Sequence, residues 1–438
     1  MQPIALAETI ADAYRACNPD YALPADDPRY MDLSSVRGEN QIVKEIKRSI
    51  EFSDDSKDEY RKFLLSGHRG CGKTTELYQL QNQLEKSHYA CVYIEMGESL
   101  DLADLSYIDL FLVMVEKTAD YLGQRGINID NGIIEDINNW ISQEVYSEKT
   151  TAHENSVEAK AGFDASLSIA KLIKIFGSLS GDIKHSESQR TVIRERIEKR
   201  STDFIKKINE FFISVNNKLK EQSKHGLVIL ADGLDKMHYR SYYDSNDNLS
   251  DTYSDLFIRR ADKLHAPYCH IVYTVPINLM FTSNLQNNFQ QSFIVPMVKL
   301  PRGEEVLKQL IGKRINIDAV FANETLVSRL INNSGGVMRD LMRLVRLASI
   351  QADEAKISEQ DVQYAINQVT REYDRLLKSS DAQILRDVQQ CQRTNPDDER
   401  TKELLLNRLI LEYENGKRTA IIHPICKNIE WVRHIIGE

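Results

Sequence analysis

Cysteine is sparse and unpatterned in this chain of 438 residues. The six, Cys17, Cys71, Cys91, Cys269, Cys391 and Cys426, form no C-x-x-C pair and have no histidine cluster beside them. That spacing argues against a zinc site or a disulfide framework and suits a reducing cytoplasm. Positive charge is also in deficit: 56 Lys and Arg face 65 Asp and Glu, a net charge of −9, whereas a general nucleic-acid coat would be basic. Long apolar runs are missing. The most apolar stretch, Tyr107 to Val115, is too short to cross a bilayer, so a membrane is not an expected partner. The first residues show no basic segment leading into an apolar run, and no secretory signal is expected. Internal repeats and low-complexity linkers are absent.

What is present reads as ordinary globular protein, with 42% hydrophobic and 28% charged residues; the length predicts two to three domains. Residues 1–35 read as a short helix and an irregular segment. Ile42, Ile46 and Ile50 recur at helical spacing. Short apolar strands are expected at Lys62–Ser66, Ala90–Glu95, Gly226–Asp232, His270–Val275 and Ser292–Val298. Helices are expected at Lys73–Glu85, Tyr107–Leu122 and Ile133–Ser142. Strands separated by helices predict an α/β core with a mainly parallel sheet. Residues 147–225 interrupt it as an insertion. One long amphipathic helix there is marked by Ile193, Ile197, Phe204, Ile208, Phe211 and Val215. The apolar patch in Ala161–Asp182 has three readings: a helix lying on a membrane, a self-assembly hairpin, or burial against that long helix. The basic run Arg194–Arg200 is interleaved with Glu195 and Glu198, which suits a solvated helical face. After Pro301 the pattern is helical, at Glu304–Ile315, Glu324–Asn332, Val337–Ala352 and Ser358–Leu377. A helix at Thr401–Arg408 then precedes two strands around Asn415-Gly416, a strong hairpin signal.

Two stretches carry the chemistry. Gly67-His68-Arg69-Gly70-Cys71-Gly72-Lys73-Thr74 fits G-x-x-x-x-G-K-[ST] between a strand and a helix, the context that confirms a phosphate loop. Its glycines let backbone amides close on phosphate oxygens at a helix N-terminus. Lys73 is expected at the β- and γ-phosphates and Thr74, with Thr75 beside it, at the Mg²⁺ side. Cys71 is either a small tolerated loop residue or a thiol whose modification blocks binding. Leu227–Asp232 is an apolar strand that delivers Asp232 at its end, as a metal shell requires. Asp235 reads as the group that orients or activates water, or as a helix N-cap.

Ala231-Asp232-Gly233-Leu234-Asp235 resembles the extended Walker B of STAND ATPases, the NACHT group especially. Val36-Arg37-Gly38-Glu39 resembles the box ahead of the phosphate loop in AAA+ and STAND proteins, with Arg and Gly in reversed order, which implies Arg37 near adenine. Asn333–Leu341 is similar to the sensor 2 region of the AAA+ lid, archaeal origin-recognition initiators in particular. The resemblance covers most of the chain except residues 147–225. It implies that Thr274 is a sensor 1 group and that Arg339 reaches the γ-phosphate from the lid. It implies an arginine finger at Arg259 or Arg260, and a lock on ADP through His423. The bland alternatives are a strand threonine, surface arginines and a structural histidine.

The expected architecture is a P-loop core at about 36–300, a helical lid at 301–378 and a winged helix at 379–438. The resemblance implies an ATPase with ATP or ADP and Mg²⁺ bound at Gly67, Arg69, Gly70, Cys71, Gly72, Lys73, Thr74 and Thr75. It further implies a regulatory switch in bacterial signalling or antiviral defence, acting with a separate effector protein and assembling with copies of itself on ATP binding. A DNA-binding initiator or loader, and a non-hydrolysing nucleotide-bound scaffold, are the alternatives.

Overall fold

The computed structural model describes residues 6–38, 41–54, 59–145, 165–243, 249–281, 285–289, 291–395, 398–415 and 417–437. Glu39, Gly416 and residues 147–164 of the insertion, on which sequence readings fell, lie outside the described residues, as does the side chain of Leu167. The strands are β1 Lys62–Ser66, β2 Ala90–Glu95, β3 Leu227–Asp232, β4 Ser241–Tyr243, β5 Leu249–Asp251, β6 His270–Thr274, β7 Ser292–Ile294, β8 Ile410–Asn415 and β9 Lys417–Ile422.

Five of them form one sheet in the order β2-β3-β6-β1-β7, with every pairing parallel. The unbroken apolar runs follow from this: β1, β3 and β6 are buried along their whole length between two helical layers, where alternation would put polar groups against a core. The edge strand β7 ends earlier than its apolar run predicts. Val295 still donates its amide to Ser66 O at 2.8 Å, but Pro296 follows and has no amide to continue the ladder. Because β6 lies between β1 and β3, the ends of the loop-bearing and acid-bearing strands flank Thr274. A parallel sheet entering a glycine loop and helix at β1, with an acid at the end of β3, is the P-loop nucleotide-hydrolase fold.

One face of the sheet is covered by Ile42–Glu51 and Lys73–Lys86 through Ile42, Ile46, Ile50, Leu77, Leu80 and Leu84. The other carries Tyr107–Gln124, Ser201–Glu221 and the insertion helix Ala165–His185. In that last helix Ile169, Leu172, Phe176, Leu179 and Ile183 are buried. They pack chiefly along Tyr107–Gln124 and less against Glu187–Lys199, so of the three readings the patch follows burial, mainly against a different helix. The expected long helix is two, Glu187–Lys199 and Ser201–Glu221, broken at Arg200. The first piece is tied sideways by Arg190 and Arg194 to Asp101, Asp104 and Asp109, and the break lets the second follow the sheet. Arg194 is therefore part of a structural ion network, not a solvated face. Among the described residues no helix is long and apolar enough to cross a membrane.

Beyond Pro301, helices Glu304–Gly312, Thr325–Ser334, Met338–Gln351, Glu359–Asp374, Ala382–Cys391, Glu399–Leu406 and Glu430–Ile436 surround the β8–β9 hairpin. Their apolar side chains form one cluster, which also takes in Ala7, Ala13, Cys17 and Leu33 from the N-terminus. The N-terminal helix Ile10–Ala16 thus packs with the far end of the chain. Gly336 sits at the seam with the sheet, at φ +77, where an added Cβ would stand 1.9 Å from Val298 O. Gly336→Ala is expected to destabilise by on the order of 3 kcal/mol in chemical denaturation. Gly312→Ala, whose Cβ would meet nothing within 4 Å, is the control and is expected to change little.

Candidate phosphate-binding site

Gly67, Gly70 and Gly72 have φ of +144, +84 and +106, conformations that cost a side-chain-bearing residue. Space is as restrictive as backbone. A Cβ on Gly67 would lie 2.8 Å from Cys71 Sγ and from Val295 O, and one on Gly70 would lie 2.4 Å from Arg339 Cβ. Cys71 is buried beneath the loop, which favours its reading as a small packing residue. Lys73 opens helix Lys73–Lys86 and turns back under the loop. Its Nζ donates to Gly67 O at 2.8 Å and His68 O at 3.2 Å and pairs with Asp235 Oδ2 at 2.9 Å. Burial works against its charge, but the Asp235 carboxylate, with Asp232 nearby, leaves the pKa raised above that of ordinary lysine.

Thr74 Oγ1 donates to Asp232 Oδ2 at 2.6 Å, and Tyr93 OH to the same oxygen at 2.9 Å. The amide of Gly233 donates to Asp232 Oδ1 at 2.8 Å. Burial, and then the neighbouring Asp232 charge, raises the Tyr93 pKa, so its hydroxyl stays a donor. A threonine hydroxyl and one carboxylate in contact are hard oxygen ligands of the kind Mg²⁺ accepts alongside water and phosphate; the residues present fit that ion.

A cavity of about 1120 Å³ opens over the loop. Its floor is Gly70, Gly72, Lys73, Thr74 and Thr75, and its walls include Asp235, Arg339 of the 338–351 helix, and Tyr21 and Tyr30 of the N-terminal segment. Arg37 braces the loop from below, donating to Cys71 O and pairing with Glu76 at 2.9 Å. Arg69 Nη2 donates to Asp235 O at 3.3 Å. The Nε atoms of Arg37 and Arg69 are buried without a hydrogen-bond partner, and both residues line the cavity. Two guanidinium groups beside a glycine loop suit a polyanion. Arg339 joins the loop to helix Met338–Gln351: its amide donates to Gly70 O at 3.2 Å, and its side chain reaches Pro19 O at 3.4 Å and Asp20 at 3.7 Å.

Seven candidates are not among the residues that line the cavity: Gly67, Cys71 and Asp232, described above, and Thr274, Arg259, Arg260 and His423. Thr274 is fully buried; its hydroxyl accepts from the Leu234 amide at 3.2 Å and donates to Ala231 O at 3.4 Å, pinning β6 to the acidic turn. Arg260 pairs with Glu198 at 2.7 Å and Arg259 with Asp255 at 3.3 Å. His423, expected at a phosphate, is buried instead beside Asp340 at 3.4 Å and Tyr373, and burial lowers its pKa. It turns inward because its Nδ1 accepts the Ile425 amide at 3.1 Å, capping the turn Pro424–Asn428.

Sequence reasoning missed His68. This loop residue is buried, and its Nε2 accepts the Glu412 amide of β8 at 2.9 Å, so a histidine contact between loop and C-terminal hairpin exists with the histidine on the loop side. No spacing rule marks it. The cavity's N-terminal wall was missed for the same reason: residues 18–33 have no periodicity.

No protein-family model matches the chain, and no curated protein does. Similar solved structures include the Walker-type ATPase PABY2304 of Pyrococcus abyssi, at 13% identity over 97% of this chain and 100% of that one, with a TM-score of 0.42. Cdc6p of Pyrobaculum aerophilum shares 11% identity over 97% of each chain, TM-score 0.39. The RuvB Holliday junction branch migration motor of Thermotoga maritima shares 11% over 94% of this chain and 98% of that one, TM-score 0.37.

Burial holds the His68 pKa down at about 3, against 6.5 for a free histidine. The unfolded chain therefore binds a proton that the folded one refuses, and stability falls as pH drops from 6.5 towards 3. His68→Gln, which keeps a neutral acceptor for Glu412, is expected to remove about 2 kcal/mol of that loss at pH 5 in denaturant titrations.

Proposed function

We propose that the chain binds Mg²⁺ and ATP at this site, hydrolyses the ATP slowly, and works as a regulatory switch of AAA+/STAND type. The observation that carries the reading is convergence: Lys73 with Asp235, and Thr74 with Asp232, meet in two short contacts at the mouth of β1 and β3. The same loop is bonded to lid and hairpin through Arg339 and Glu412.

The residues divide the work as follows. Loop amides and Arg69 seat the phosphates. Lys73 exchanges Asp235 for the β- and γ-phosphates, a trade of one anion for another that keeps its ammonium paired. Thr74 and Asp232 would hold Mg²⁺, which supplies charge neutralisation when bound. Asp235, released from Lys73, orients water. Arg339 can distinguish ATP from ADP because its backbone already sits on Gly70. Nucleotide state then biases two arrangements of lid and core, provided the two nucleotides differ in affinity for them. A partner protein as effector and self-association with ATP complete the proposal, with service in bacterial signalling or antiviral defence as its setting.

Lys73→Ala and Asp232→Asn are each expected to lower Mg²⁺-dependent ATP turnover at least about 100-fold, measured by phosphate release. Turnover kept within a few-fold in both variants would contradict hydrolysis at this site, and a wild type with no turnover would leave the scaffold reading. Arg339→Ala is expected to weaken ATP binding about tenfold, or about 1.4 kcal/mol, with ADP binding nearly unchanged in calorimetric titration.

A further inference from the structure

The carboxylates of Asp232, Asp235 and Glu95 lie at or just beyond the ends of β2 and β3. Asp232 is committed on both oxygens, to Thr74 and Tyr93 and to the Gly233 amide. Asp235 is buried against Lys73. The third is Glu95. It is the last residue of β2 and the register partner of Asp232, and strand alternation sets it on the same side as Tyr93. It lines the cavity. Its carboxylate lies over Gly233, where an added Cβ would meet Oε1 at 2.2 Å, so the glycine between the two acids of the turn makes room for it. Glu95 Oε1 is held by Lys236 Nζ at 2.9 Å, with Lys236 itself 49% exposed. An ion pair with a lysine that exposed is weak and easily exchanged.

We propose that Glu95 is the carboxylate that takes the proton from the attacking water in ATP hydrolysis, and that Lys236 restrains it until ATP is bound. The inference rests on the ATPase reading above and moves the general base from the β3 turn to the neighbouring strand. As the water oxygen bonds to the γ-phosphorus, its proton passes to Glu95. The bond from the γ-phosphorus to the bridging oxygen breaks, and ADP leaves with that electron pair. Glu95 then returns the proton to solvent as phosphate departs. Glutamate reaches one methylene further than Asp235, which remains the partner of Lys73 between turnovers.

The test uses the full chain with radiolabelled ATP and Mg²⁺. Glu95→Gln is expected to lower single-turnover hydrolysis at least about 100-fold, the usual weight of a general base. It should also bind ATP within about threefold of wild type and release it intact on denaturation. Lys236→Met should keep hydrolysis within about tenfold of wild type, since it removes a restraint and not the base. Should the glutamine variant not fold, Glu95→Asp carries the same test, with turnover reduced at least about tenfold and ATP affinity kept. Hydrolysis by Glu95→Gln within threefold of an active wild type overturns the role of Glu95 alone. So does loss of ATP binding together with turnover, which marks a structural residue. A wild type that binds ATP without turning it over overturns the ATPase reading, and this inference with it.

Discussion

The phosphate loop is pressed from two sides, and the rest of the site follows from that constraint. On the sheet side, Gly67 leaves no room for a side chain between Cys71 and Val295, and on the lid side Gly70 leaves none before Arg339. The contact with the lid is made by backbone, the Arg339 amide on Gly70 O, so it depends on the placement of the whole 338–351 helix.

That placement is set by a buried polar cluster one residue further on. Asp340 Oδ2 accepts from Tyr373 OH at 2.9 Å and from Arg408 Nε at 3.3 Å, with His423 Nε2 at 3.4 Å. Burial would raise the Asp340 pKa, but Arg408 and His423 hold it below the carboxylate range. A charge buried this deeply is tolerated only while its partners stay in place. The cluster therefore fastens lid helix, helix Glu359–Asp374 and C-terminal hairpin to one another beside Arg339. His68 on Glu412 and Tyr413 on Gly335 O fasten the same hairpin to the loop side. Helix Met338–Gln351 and the C-terminal hairpin are thus bonded both to each other and to the phosphate loop.

What could be read from sequence was what local rules determine. The glycine spacing from Gly67 to Gly72, the apolar run into Asp232 and the two strand runs paired as β8 and β9 each encode their element in a few adjacent residues. The five core strands and most helices were legible, with ends displaced where a cap or a proline decides, as at Pro296. Long-range pairings were not. Nothing in the sequence near Cys17 says that the N-terminal helix packs beside Met338–Gln351, or that residues 18–33 wall the cavity. The resemblance to STAND ATPases implied that His423 contacts phosphate, yet its Nδ1 accepts the Ile425 amide and its ring is buried beside Asp340 and Tyr373. His68 and Glu95 escaped notice because each is an unremarked position whose role comes from a distant partner, Glu412 in one case and Gly233 with Lys236 in the other.

The account stands on transmission from nucleotide to hairpin through the bond between His68 and Glu412. The measurement that reaches it most directly is hydrogen exchange at the Glu412 amide in the intact chain, with Mg²⁺ and either a non-hydrolysable ATP analogue or ADP. The account predicts that protection of this amide differs between the two nucleotides, while amides in the middle of β3 stay equally protected. Equal exchange at Glu412 in both states, with both nucleotides demonstrably bound, would contradict it.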